Sequence, residues 1–221
     1  MLLAIDTATK IISVALHDGT TLIAEQTWRA GNRHTTALAP TVQQMLVACD
    51  ATMDDLSALA VATGPGSYTG LRIGVAFAKG LALVNDLPLV GMTTLDITAR
   101  AQPQYKSGAA LIAVVQAGRG RVMVQAYRWN RGEWRGRGES RLLDWPSLIE
   151  TIDGQAIITG EIDADGREQL AALEHVTIAP PAHRLRRAGF LAEYAWEQIR
   201  AEPEADFNAV NVLPIYLQTP E

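Results

Sequence analysis

Residues 59–83 read LAVATGPGSYTGLRIGVAFAKGLAL: an apolar run, three glycines and a proline within seven residues, then a helical run. This order dictates a buried strand, a tight turn and a helix that begins at once. Gly64 ends the strand, Pro65 fixes φ, and Gly66 can take a positive φ at no steric penalty. Ser67 and Thr69 are each able to cap the helix that follows. Such a turn can hold an anion on the free N–H groups of the helix N-terminus, or it can simply reverse the chain and pack. Two nucleotide fingerprints are missing: no Lys follows Gly70, as a P-loop requires, and Gly64, Gly66 and Gly70 do not keep the GxGxxG rhythm.

The helix itself is unusual. Gly70, Gly74, Ala78 and Ala82 recur every fourth residue and make a stripe almost bare of side chains. A glycine inside a helix costs about 1 kcal/mol relative to alanine, so something must offset it. One reading is close packing on the protein's own sheet. The other is a close contact with a second protein molecule, with Ile73, Phe77 and Leu81 on a different face serving the internal core. The second reading makes Gly70, Gly74, Ala78 and Ala82 a partner interface, together with Leu38, Val42 and Met45 from the helical face of residues 36–49.

Around this stretch the pattern is regular. LLAIDTA (2–8) is a buried strand running into a turn, and IISVALHDGTTLIAEQTW (11–28) is a hairpin about Asp18-Gly19. Then come the helix 36–49, the strand 56–63, the helix 70–84 and a strand–helix pair within 87–101, giving β-β-β-α-β-α. A second unit opens the same way, with strands at 110–117, 121–129 and 133–143, and continues with alternating helices and strands to a long helix, 186–201. No identity repeat is visible, so the duplication rests on pattern alone. The expected division is a lobe at 1–103 and a second at 104–221 that includes the closing helix.

The chain has 221 residues, 48% hydrophobic and 19% charged, with a net charge of −5, so general nucleic-acid affinity is not advertised. Residues 119–141 nevertheless hold seven Arg against Glu133 and Glu139, interleaved with Tyr127, Trp129 and Trp134. That is the composition of a nucleic-acid surface, with Arg131 and Arg135 as candidate contacts. It is equally that of a solvated meander whose Arg stems cover apolar surface. Cys49 is alone, which excludes an internal disulfide. The start is apolar for only five residues before Asp6, too short for a signal peptide or a membrane span, so a cytoplasmic location is expected.

LAIDTAT…SVAL, His34 opening a helix, GPGSYTGLRIGVAFAKGLA, and Pro214-Ile215-Tyr216-Leu217 near the end together resemble the TsaB (YeaZ) family. The resemblance is strong over the first half, thin over the second, and returns at the tail. It implies an α/β fold of two ribonuclease-H-like lobes in the actin/hexokinase/Hsp70-like ATPase superfamily. It also implies a role in making N6-threonylcarbamoyladenosine at position 37 of tRNA. In that pathway a TsaB-like chain resembles a scaffold that pairs with its catalytic paralogue TsaD, with the ATPase TsaE joining the pair and TsaC supplying threonylcarbamoyl-adenylate. Alone, such a chain is expected to pair with itself as a homodimer. Two spots depart from the family pattern: Gln116-Ala117-Gly118 stands where Asp-Ala-Arg is usual, and Tyr216-Leu217-Gln218 where Tyr-Leu-Arg is usual.

Kinases and ATPases of this superfamily hold Mg-ATP between two Asp-bearing hairpins. Asp6 takes the first position, but Thr7-Ala8-Thr9 follows without a glycine, and the second position offers the uncharged Gln116. One carboxylate without an opposed partner is a poor basis for phosphoryl transfer. Asp6 and Thr7 with Gly64, Gly66, Ser67 and Thr69 form the candidate nucleotide-proximal loop, and Asp6 capping its own turn is the plainer alternative. His17, His34, His175 and His183 include no i, i+4 pair, and Ser67 has no His/Asp arrangement nearby in sequence. The expectation is a scaffold with no catalytic residue, no metal and no cofactor of its own, ATP or ADP lying near the junction with TsaD. A weak kinase-like ATPase and a peptidase are the competing readings.

Overall fold

The computed structural model describes residues 1–31, 33–105 and 108–216. Strands β1 (Leu2–Asp6), β2 (Ile11–His17) and β3 (Leu22–Arg29) form an antiparallel meander. Helix α1 (His34–Ala48), strand β4 (Ala58–Gly64), helix α2 (Tyr68–Asn85) and strand β5 (Leu89–Thr93) follow. β4 lies parallel to β1 and β5 parallel to β4, so the sheet order is β3-β2-β1-β4-β5. The second sheet repeats this plan. After helix α3 (Thr94–Arg100) come β6 (Ala110–Gly118), β7 (Arg121–Asn130) and β8 (Glu133–Asp144), another antiparallel meander. Helix α4 (Trp145–Glu150), strand β9 (Ala156–Gly160), helix α5 (Ala164–Ala171) and strand β10 (Val176–Ile178) complete the order β10-β9-β6-β7-β8. The duplication expected from pattern is therefore present as topology.

The chain divides into two units, Met1–Thr93 with Arg187–Glu221, and Thr94–Arg186. This corrects the expected cut at 103/104. Helix α6 (Ala188–Ala201), expected in the second lobe, packs on β1 and β2 of the first sheet. Its Ala188 N–H donates to Ser13 Oγ at 2.8 Å, its Gly189 N–H to Glu25 Oε1 at 2.7 Å, and Arg187 pairs with Glu25. The apolar side that α6 buries is Leu191 with Ala188, Ala192 and Ala195, small enough to sit close against the sheet. Helix α3, expected in the first lobe, instead puts Leu95 and Ala99 into the core beneath the second sheet with Leu111, Ala113 and Tyr127. Each unit thus takes one covering helix from the far end of the other half of the sequence.

In the first unit, residues of alternating parity separate the two faces of the sheet. Leu3, Ile5, Val14, Leu16, Leu59 and Val61 pack against α1 and α2, and all are fully buried. The opposite face carries Ala4, Ala15 and Ala60, and α6 lies there. In the second unit Ile112, Val114, Val122, Val124 and Ile158 face Trp145, Leu148 and Leu170 of α4 and α5. Among the described residues no helix is long and apolar enough to cross a membrane.

Candidate functional site

The Asp6–Thr9 turn and the Gly64–Gly70 loop lie against each other. Ser67 N–H donates to the Ala8 carbonyl at 2.6 Å, and Thr7 Oγ1 donates to the Gly70 carbonyl at 2.7 Å. A Cβ on Gly66 would strike Ala8 O, one on Gly70 would strike Thr7 O, and one on Gly74 would strike Thr7 Oγ1. The glycines allow a close backbone approach between helix α2 and the turn after β1. The positive φ falls on Gly64 (+106°), where Gly66 was the expected residue. Ser67, not Thr69, is the N-cap; its Oγ accepts from Gly70 N–H at 3.3 Å. Asp6 is buried and accepts the Ala8 N–H at 2.8 Å, capping its own turn. His34 opens α1, and its Nε2–H donates to the Thr9 carbonyl at 2.6 Å.

These bonds bear on nucleotide. The sequence-predicted residues Asp6, Thr7, Gly64, Gly66, Ser67 and Thr69 are brought together, but Ser67 and Gly70 already use the N–H groups a phosphate cradle needs. At the second hairpin position the Gln116 side chain donates to the Glu161 carbonyl at 3.3 Å, and its N–H to Glu161 Oε2 at 3.2 Å. Arg186, 2% exposed, donates to Glu161 Oε1 at 3.2 Å. Sequence reading missed this pair, whose members lie 25 residues apart. The departure at Gln218, with Leu217, lies outside the described residues.

The proposed partner residues need correction. Gly70, Gly74, Ala78 and Ala82 face the protein's own sheet, and all four are buried. Leu38, Val42 and Met45 sit in the same internal core. The reason is volume: only a side-chain-poor stripe lets α2 approach the turn at Thr7 so closely. Ile73, Phe77 and Leu81 are only partly buried, and beside them Ala76 and Gly80 are exposed. Leu83 and Val84 are 63% and 84% exposed, and Val47 of α1 is 69% exposed. Ile73, Phe77 and Leu81 pack partly against the internal core, as one sequence reading had it, and the exposed side of α2 carries Ala76, Gly80, Leu83 and Val84.

The arginine-rich meander is sorted by strand alternation. Tyr127, Trp129 and Trp134 face the α3 side: Tyr127 and Trp134 are buried and Trp129 packs against them. Tyr127 Oη–H donates to Asp96 Oδ1 at 2.9 Å, and burial, reinforced by that carboxylate, pushes its phenol far above the ordinary range. The aromatics are core, not a stacking surface. Arg128, Arg135, Arg137 and Arg141 occupy the opposite face with Val124 and Ala126, because Arg128 pairs with Arg135, Ala126 with Arg137 and Val124 with Arg141. Of the two arginines singled out from sequence, Arg135 is held by Glu133 at 2.6 Å, and Arg131 sits at the hairpin turn with φ +50°.

A family model described as TsaD: tRNA N6-adenosine threonylcarbamoyltransferase matches residues 27–137. The tRNA threonylcarbamoyladenosine biosynthesis protein TsaB of Escherichia coli (strain K12) is 38% identical over 165 residues, covering 72% of this chain and 70% of that protein. YeaZ from Pseudomonas aeruginosa superposes with a TM-score of 0.76 at 25% identity, covering 97% of this chain and 99% of that one. The activator of the 2-hydroxyisocaproyl-CoA dehydratase from Clostridium difficile, solved with ADPNP, shares the fold with a TM-score of 0.54 at 12% identity, covering 92% and 97%. Two five-stranded sheets of one topology define a duplicated α/β protein, a fold shared with that activator. Within that class the chain belongs to the TsaB family and is a protein of tRNA threonylcarbamoyladenosine biosynthesis.

Proposed function

We propose that this chain is a non-catalytic scaffold of the tRNA N6-threonylcarbamoyladenosine pathway, binding and activating a TsaD paralogue, with TsaE joining the assembly and TsaC acting upstream. The observation that carries this reading is the exposed apolar side of α2, Ala76, Gly80, Leu83 and Val84, with Val47 of α1 also exposed. An exposed apolar helix face of this kind fits a helix from another molecule. In the absence of the paralogue the same face pairs two copies of this chain. The lack of catalysis is supported by the environments of Asp6, bonded to its own turn, and of Gln116, bonded to Glu161. ATP or ADP, where the assembly takes it up, is held by the partners' groups.

The test is co-purification with TsaD. Gly80 has open space around it, so Gly80→Glu combined with Val84→Lys leaves the fold intact while charging the face. The expected result is a melting temperature no lower than that of the wild type, with recovery of the complex reduced at least tenfold. A complex that survives both changes overturns the assignment. Gly74→Leu, by contrast, tests packing against Thr7 and not the interface.

A further inference from the structure

We propose that the arginine face of the β7–β8 ribbon is an RNA-binding surface, taking the phosphodiester backbone on Arg128, Arg137 and Arg141 and one unpaired base in the hollow lined by Arg137 and Arg141. The proposal rests on the pathway reading, which puts an RNA among the substrates, but not on the helix interface.

Three observations carry it. First, Arg128 stands directly across from Arg135 on neighbouring strands. Like charges in that arrangement repel, and a bound polyanion relieves the repulsion. Glu133 engages Arg135, whereas among the described residues Arg128, Arg137 and Arg141 have no ion-pair partner. Second, β8 bulges between Arg137 and Arg141, where two residues of β7 oppose a longer run of β8. The bulge opens a hollow of about 480 Å³. Ile112, Val124, Ala126 and Leu148 line it together with Arg137, Glu139 and Arg141. Third, all cations of residues 119–141 are Arg and none is Lys. The planar guanidinium matches phosphate with paired hydrogen bonds and also stacks on a base, which ammonium does not do. A nucleotide offers a flat base for the hollow and a phosphate for the guanidinium groups in one unit. Glu139 in the lining is an acceptor for an exocyclic amine of that base.

The experiment measures binding of a fluorescein-labelled tRNA transcript to the full chain by anisotropy across a salt series. Log affinity falls linearly with log salt, with a slope set by the number of phosphates contacted. The variant Arg128→Gln/Arg137→Gln/Arg141→Gln is expected to lower the slope by about 2 and to weaken low-salt binding at least tenfold. Its melting temperature is expected to hold or rise slightly as the Arg128–Arg135 repulsion is removed, its co-purification with TsaD to be unchanged, and Gly80→Glu/Val84→Lys to keep the wild-type slope. Each reading can thus fail without the other. Wild-type chain that does not bind the transcript at low salt, or a triple variant with the wild-type slope, overturns the proposal. So does polyglutamate competing as well as unlabelled RNA, which identifies an acidic protein as the occupant.

Discussion

Two glycines of α2 lie six residues apart in one helix and carry opposite demands. Gly74 faces Thr7 so closely that a Cβ has no room, and Gly80 has nothing within 4 Å. Gly74→Ala is therefore expected to destabilise the fold by about 1–3 kcal/mol through overpacking. Gly80→Ala is expected to stabilise it by about 0.5–1 kcal/mol, through helix propensity and a less free unfolded chain. Urea titration of the two variants checks both signs. Asp144 caps α4 by accepting Ser147 N–H at 2.9 Å, and the Ser147 hydroxyl and N–H together hold its carboxyl below the ordinary 3.8. The folded state prefers the ionised form, so this contribution is present above that value and drains as pH falls through the lower folded one. Asp144→Asn, which caps without titrating, is expected to flatten the fall of the urea midpoint below about pH 4.

At the level of elements, much was readable because strand and helix periods are strong signals. The strand–turn–helix at 59–83 and both meanders fall where the apolar pattern puts them. What the pattern left open is which of two faces looks outward. On α2 the small stripe and the Ile73–Phe77–Leu81 stripe are both apolar, so periodicity found two faces without ranking them. The ranking follows from distance to the turn after β1, a contact with a residue 63 positions away. In the meander, alternation separates Tyr127 and Trp129 from Arg128, but composition averaged them into one surface. The roles of Arg131 and Arg135 were likewise invisible in sequence, since they depend on a turn at positive φ and on Glu133. The Glu161–Arg186 pair left no local trace at all.

For the molecule as a whole, the exchange of covering helices sets what a fragment can do. The segment 94–186 carries its sheet and α3, so it is expected to melt cooperatively alone, followed by circular dichroism. The segment 104–221 lacks α3, carries α6 without the sheet it covers, and is expected to show no cooperative transition. The opposite pair of results would mean that α3 and α6 contribute little to their units. The expected cut at 103/104 failed for the same reason: a linear reading assigns a helix to its neighbours in sequence, whereas α6 answers to β1 and β2. The same exchange orders events on the ribosome. The inner unit has all its parts once residue 186 has left the tunnel, while the unit begun first still waits for its last helix, about 5–20 s after Thr93 is joined at ordinary elongation rates. Throughout that interval the alanine-lined side of the earlier sheet stays bare on the nascent polypeptide, where a chaperone can reach it.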